Sequence, residues 1–98
     1  MRKLKQNSES LARALDVVGE ALARIGLDRV EAVTVTRNRI SLSPIDLADG
    51  EQIARLLGCT SALDNRMLTP GFTNWSGDVA GFEVHVRARL RQPGGALA

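Results

Sequence analysis

The sequence predicts an α+β fold. The expected architecture is a two-layer αββαββ domain, with a four-stranded antiparallel sheet carrying two helices on one face. Three observations predict it. Apolar residues recur at helical spacing between residues 11 and 25, a β-branched run at 30–36 resumes at 40–42, and apolar and polar residues alternate without a break over 80–91.

The first helix is predicted over 9–25. Ser8 or Ser10 can cap it, and Glu9 sits near its positive end. Leu11, Leu15, Val18, Leu22 and Ile25 form one stripe, and Gly26 follows where a positive φ is wanted. In the next run Val33 and Val35 face one way, while Thr34 and Thr36 face the other. Arg37-Asn38-Arg39 is a short turn and Ile40 and Leu42 resume the alternation, so a hairpin is predicted over 32–43.

Pro44 ends that pairing. Asp46 or Asp49 can cap a second helix over 49–57, with Ile53, Leu56 and Leu57 as its buried stripe and Gly58 as its end. Residues 59–71 have loop composition, in which Met67 and Leu68 form a short strand or a plug. Phe72–Trp75 is read as the third strand and Ser76-Gly77-Asp78 as a tight turn. The fourth strand is drawn over 79–91. Ala80, Phe82, Val84, Val86, Ala88 and Leu90 lie on one of its faces, and Glu83, His85, Arg87, Arg89 and Arg91 on the other.

A chain of 98 residues makes one domain. Residues 1–7 read as a flexible basic arm, 8–91 as the domain and 92–98 as a disordered tail. The helical segments 19–26 and 50–58 share a Gly-Glu start and an Ala-Arg step. They are read either as an old duplication or as two sequences converging on good helix formers. With 44% hydrophobic and 24% charged residues the composition is that of a folded protein. No apolar run is long enough for a membrane span, and no secretory leader is visible.

The catalytic inventory is small. Cys59 and His85 are the single cysteine and histidine, and nothing in their spacing pairs them. One cysteine excludes an internal disulfide, and two such residues cannot build a typical zinc site. The carboxylates at 46, 49, 51, 64 and 78 match no calcium loop, and no phosphate-binding loop occurs. The expectation is a protein without catalytic residues, metal or cofactor.

Charge points instead to binding. Thirteen basic residues face eleven acidic ones, for a net charge of +2, and most of the basic residues are arginine. Arg87, Arg89 and Arg91 share a strand side with His85, and Arg37 and Arg39 at the hairpin tip extend the patch. Like-facing residues on a strand are about 6–7 Å apart. That spacing suits carboxylates of a protein partner, and it also suits successive phosphates of a nucleic acid. Sheet-face RNA readers stack bases on exposed aromatics, and here the aromatics are only Phe72, Trp75 and Phe82. An open sheet also leaves two edges and one bare face, and Thr34, Thr36 and Ser41 make part of that face polar and uncharged. The expected partner is therefore a second copy in a homodimer or another protein, with nucleic acid as the alternative.

Ile53-Ala-Arg-Leu-Leu-Gly58, Asp64-Asn-Arg66, Phe72-Thr-Asn-Trp-Ser-Gly77 and Gly81-Phe-Glu-Val84 resemble small uncharacterised proteins of actinobacterial phages and integrative mobile elements. The similarity covers residues 30–90. It brings no catalytic residues. It implies a bacterial or phage-encoded accessory protein in the cytoplasm, a compartment compatible with a free cysteine.

Overall fold

A computed structural model describes the backbone of residues 2–91 and the side chains of residues 10–91. Met1 and the predicted tail at 92–98 lie outside the described residues. Helix α1 spans Arg2–Ile25 and α2 spans Gly50–Leu56. Five strands follow the order β1 Val30–Val35, β2 Arg39–Pro44, β3 Ser61–Asn65, β4 Phe72–Val79 and β5 Phe82–Arg89. The sheet order is β1-β2-β5-β4-β3.

The α+β class agrees with the sequence, but the four-stranded antiparallel sheet is corrected. The sheet has five strands and is mixed, because β2 pairs with β5 in parallel. Helix α2 connects β2 to β3, and a helical connection returns the chain in its original direction. The β3–β4 and β4–β5 reversals then leave β5 parallel to β2. Strand β3 was hidden in the loop composition of 59–71. It is an edge strand with one neighbour, and Leu63 is its single large apolar side chain, so it carries no periodic signal. The Ser76-Gly77-Asp78 turn is also corrected. Those residues continue β4, and the chain reverses at Ala80-Gly81.

The core lies between the helices and one face of the sheet. Ile40 and Leu42 of β2 meet Phe82, Val84, Val86 and Ala88 of β5, beside Trp75 of β4. Ala14, Val18 and Ile25 of α1 and Ile53, Ala54 and Leu57 of α2 close over them. Each buried aliphatic side chain of this kind stabilises the fold by roughly 1.5–3 kcal/mol. The buried face of α1 is rotated from the predicted stripe: Ala14 is buried while Leu11 and Leu15 are exposed. Leu56 of α2 is exposed as well.

The helix ends follow their sequence signals. Asp46 accepts a hydrogen bond from the Ala48 N–H at 2.9 Å and caps the short 3-10 turn leading into α2. At the other end Cys59 N–H donates to Ala54 O and Gly58 N–H to Arg55 O. This is the Schellman arrangement, with Gly58 at φ +81. Among the described residues no helix is long and apolar enough to cross a membrane.

Two close fits fix the helix layer on the sheet. A Cβ on Gly50 would meet the Arg87 carbonyl oxygen and lie 2.5 Å from Ala88 Cα. A Cβ on Gly77 would lie 2.9 Å from Cys59 Cα. The first turn of α2 therefore rests directly on the backbone of β5. Gly50→Ala would gain about 1 kcal/mol of helix propensity. Against that stands overpacking onto unyielding backbone, which costs about 1–3 kcal/mol or more. Gly50→Ala is expected to lower the urea-unfolding free energy, whereas an exposed helical glycine would raise it. Ala80 at φ +52 and Gly81 at φ +87 form the two-residue β4–β5 loop with positive φ at both centres. Such loops favour Asn or Gly, and a left-handed alanine costs about 1–2 kcal/mol. Ala80→Asn is expected to raise the melting temperature by a few degrees.

Candidate functional site

Among the described residues, the second face of the sheet is bare. Strand alternation puts Ser41 and Ser43 of β2, His85, Arg87 and Arg89 of β5, and Phe72 and Asn74 of β4 on it. This face holds a depression of about 340 Å³, running from Ser41 and Ser43 to Leu63 and Asn65 at the β3 edge.

His85 lies near its middle and is half-buried. Its Nε2 is 2.6 Å from Glu83 Oε1, and its Nδ1 is 2.8 Å from Asn74 Nδ2. The His85 hydrogen bond, followed by the Arg39 charge, pulls the Glu83 carboxyl below its ordinary range. An ionised Glu83 can only accept, which places a ring hydrogen on Nε2; in the neutral ring Nδ1 then accepts from the Asn74 amide. Ser41 sits opposite His85 in the β2–β5 register. Both ring nitrogens are already engaged, so neither is left to activate the Ser41 hydroxyl. Arg39 completes this polar chain with a 3.1 Å ion pair to Glu83 across the parallel pairing.

Arg87 lies over the Phe72 ring, its guanidinium carbon 4.2 Å from the ring centroid. This stacking leaves the edges of the guanidinium fork open. Arg89 is exposed two residues further along the same face. Neither Arg87 nor Arg89 makes an ion pair among the described residues.

Arg91 is not part of this row. Strand β5 ends at Arg89, and the chain then turns its next arginine to the helix side of the sheet. Arg91 Nε and Nη2 fork the Asp64 carboxylate at 3.0 and 2.9 Å. The Arg91 N–H donates to Thr73 Oγ1, and that hydroxyl donates to Asp64 at 2.7 Å. Arg91 also stands 5.6 Å from the centroid of Trp75, whose indole N–H is buried without a hydrogen-bond partner among the described residues. Arg37 lies exposed at the β1–β2 turn, away from the depression. The structure thus brings together Arg39, His85 and Arg87, places Arg89 beside them, and separates Arg37 and Arg91.

Asn74 and Leu63 join the face without having been singled out in the sequence. The alternation of Asn74 with buried Thr73 and Trp75 was a usable signal. Leu63 had none, since its strand read as loop. Cys59 is fully buried, and burial pushes its thiol up from its ordinary value. Among the described residues no group of three or more His, Cys, Asp or Glu could hold a metal ion.

The fork from Arg91, then the Thr73 hydroxyl, holds the Asp64 carboxyl at about 2, below its ordinary 3.8. A carboxyl depressed on folding stabilises the protein fully above the unfolded value and loses that contribution as pH falls through the folded one. Unfolding free energy should therefore drop from pH 3.8 towards about pH 2. In urea titrations Asp64→Asn should be less stable than the parent at neutral pH and should flatten this acid limb. An unchanged acid limb in the variant would remove Asp64 as its source.

No protein-family model, no curated protein and no solved structure matches the chain.

Proposed function

We propose that this is a non-catalytic binding protein that takes a protein partner on the bare face of its sheet. The observation that carries the reading is the depression itself. It is lined by groups whose hydrogen-bonding capacity is only partly used, notably Ser41, Ser43, Asn65 and the Arg87 fork, with exposed Leu63 supplying apolar area at its rim. Arginine is among the side chains enriched in protein interfaces and at their energetic centres. The use of both His85 nitrogens in structural hydrogen bonds favours binding over acid–base chemistry. An accessory role of this kind agrees with the resemblance to small phage and mobile-element proteins.

The same face is less suited to nucleic acid. Arg91 has left the row, so the phosphate-spaced track is short. Trp75 and Phe82 are buried in the core, and the Phe72 ring is covered by Arg87, so no aromatic platform faces outward. Both sheet edges, β1 and β3, keep one unpaired backbone row and offer a route to a homodimer.

The test is a selection of random displayed peptides against the wild type. Enriched peptides are then measured against Ser41→Tyr, which fills the depression, and against Glu20→Ala on the exposed side of α1. Enriched peptides are expected to lose roughly tenfold in affinity, about 1.4 kcal/mol, on Ser41→Tyr and nothing on Glu20→Ala. Peptides that bind Ser41→Tyr as well as the wild type would overturn the reading.

A further inference from the structure

Resting on the reading of the bare face as the binding surface, we infer that its occupant is an acidic, extended peptide segment of a partner protein, with a Glu or Asp carboxylate seated on the Arg87 fork. Three features carry this. Arg87 is pre-organised. Its guanidinium is held over the Phe72 ring at 4.2 Å, so less side-chain freedom remains to be lost on binding, and its forked donors match a carboxylate. It is also uncommitted. Arg29, Arg39, Arg55, Arg66 and Arg91 each meet a carboxylate, and among the described residues Arg87 does not. Lastly, its neighbours suit a peptide. The Asn74 side chain and the Ser41 and Ser43 hydroxyls can bond a peptide backbone, and Leu63 can take an apolar side chain.

Charge decides between a partner and a second copy. The Arg39 charge is largely answered by Glu83, so Arg87 and Arg89 leave an unbalanced positive end on the face. Two copies stacked face to face about a two-fold axis through this end of the face would set these arginines against their own images, an arrangement that like-charge repulsion disfavours. An acidic segment reverses the sign of that term. Arg87 and Arg89 are consecutive on one side of β5, about 6–7 Å apart. An extended peptide with acidic residues at alternate positions has the same repeat, so both arginines can be met at once.

The probe is a labelled peptide of about six residues alternating Glu and Val, blocked at both ends. Its isostere with Gln in place of Glu, and a labelled single-stranded oligonucleotide, serve as comparisons. Affinities are read by anisotropy and the contact face by amide chemical shifts. The Glu peptide is expected to bind at low salt, to shift amides of β2, β4 and β5, and to weaken as salt shortens the screening length. Arg87→Gln should weaken it roughly tenfold and Arg87→Lys by less, with unfolding temperatures lowered by no more than a few degrees, because the exposed Arg87 gives up only its contact with Phe72. The Gln peptide should lose as much on the wild type, an arm that needs no variant to fold. Equal binding of the Gln peptide, or indifference to Arg87→Gln, would overturn the carboxylate assignment. The displayed-peptide selection, which assumes no chemistry, would still stand or fall separately. Failure of the Glu peptide to bind at low salt would also overturn the assignment. So would tighter and more steeply salt-dependent binding of the oligonucleotide to the same face.

Discussion

The parallel pairing of β2 with β5 is the constraint on which the rest of the structure depends. It joins a hairpin from the first half of the chain to a three-stranded unit from the second. On one side it sets Ile40 and Leu42 beside Val84 and Val86, at the centre of the core. On the other it sets Arg39 opposite Glu83 and Ser41 opposite His85, and these pairs found the polar face. A slip of one residue would exchange the two sides, so burial of four aliphatic side chains fixes the register of the polar face as well. The core thus positions the site without any site residue contributing to the core.

Two arginine arrangements near the end of β5 show how the sheet divides its work. Arg91 is locked by a bidentate carboxylate, a backbone link through Thr73, and Trp75. This clamp ties the edge strand β3 to the end of β5, which is otherwise separated from it by β4. Strand β3 needs such a fastening, since it pairs on one side only and buries little apolar area. Among the described residues Arg87 is held only by an aromatic ring, which leaves its donors open. The first arrangement uses a guanidinium to close the structure, and the second keeps one available.

Much of this was legible in the sequence, and the illegible parts have physical causes. Strand β5 was plain because it is central and buried on one face, which imposes strict alternation from Phe82 to Arg89. The side of His85, Arg87 and Arg89 followed directly. Its continuation to Arg91 failed because alternation holds only while the ladder lasts, and a carboxylate on the far side captured the next arginine. The β4–β5 turn was misplaced because Ser-Gly-Asp has better turn chemistry than Ala-Gly. In the folded chain Gly77 answers a different need, the close approach of β4 to Cys59. The extra strand and the parallel pairing were out of reach, since both depend on contacts between segments that are weakly patterned on their own.

The arginine-rich composition alone carries little meaning, and the state of each guanidinium carries more. Arg29 and Arg55 brace α2 and its approach through Asp49 and Glu51, exposed or partly exposed pairs of the kind worth at most about 1 kcal/mol. Arg39 balances Glu83, whose other partner is His85, so that acid is consumed within the face. Arg13 lies over Phe82 at the β4–β5 turn and fastens α1 to it. Once these are assigned, the positive character of the bare face narrows from a row of arginines to the end of β5 that holds Arg87 and Arg89. On a surface whose charge is mostly answered from within, what matters is where the remaining charge stands, and here it stands beside the depression lined by Ser41, Ser43 and Leu63.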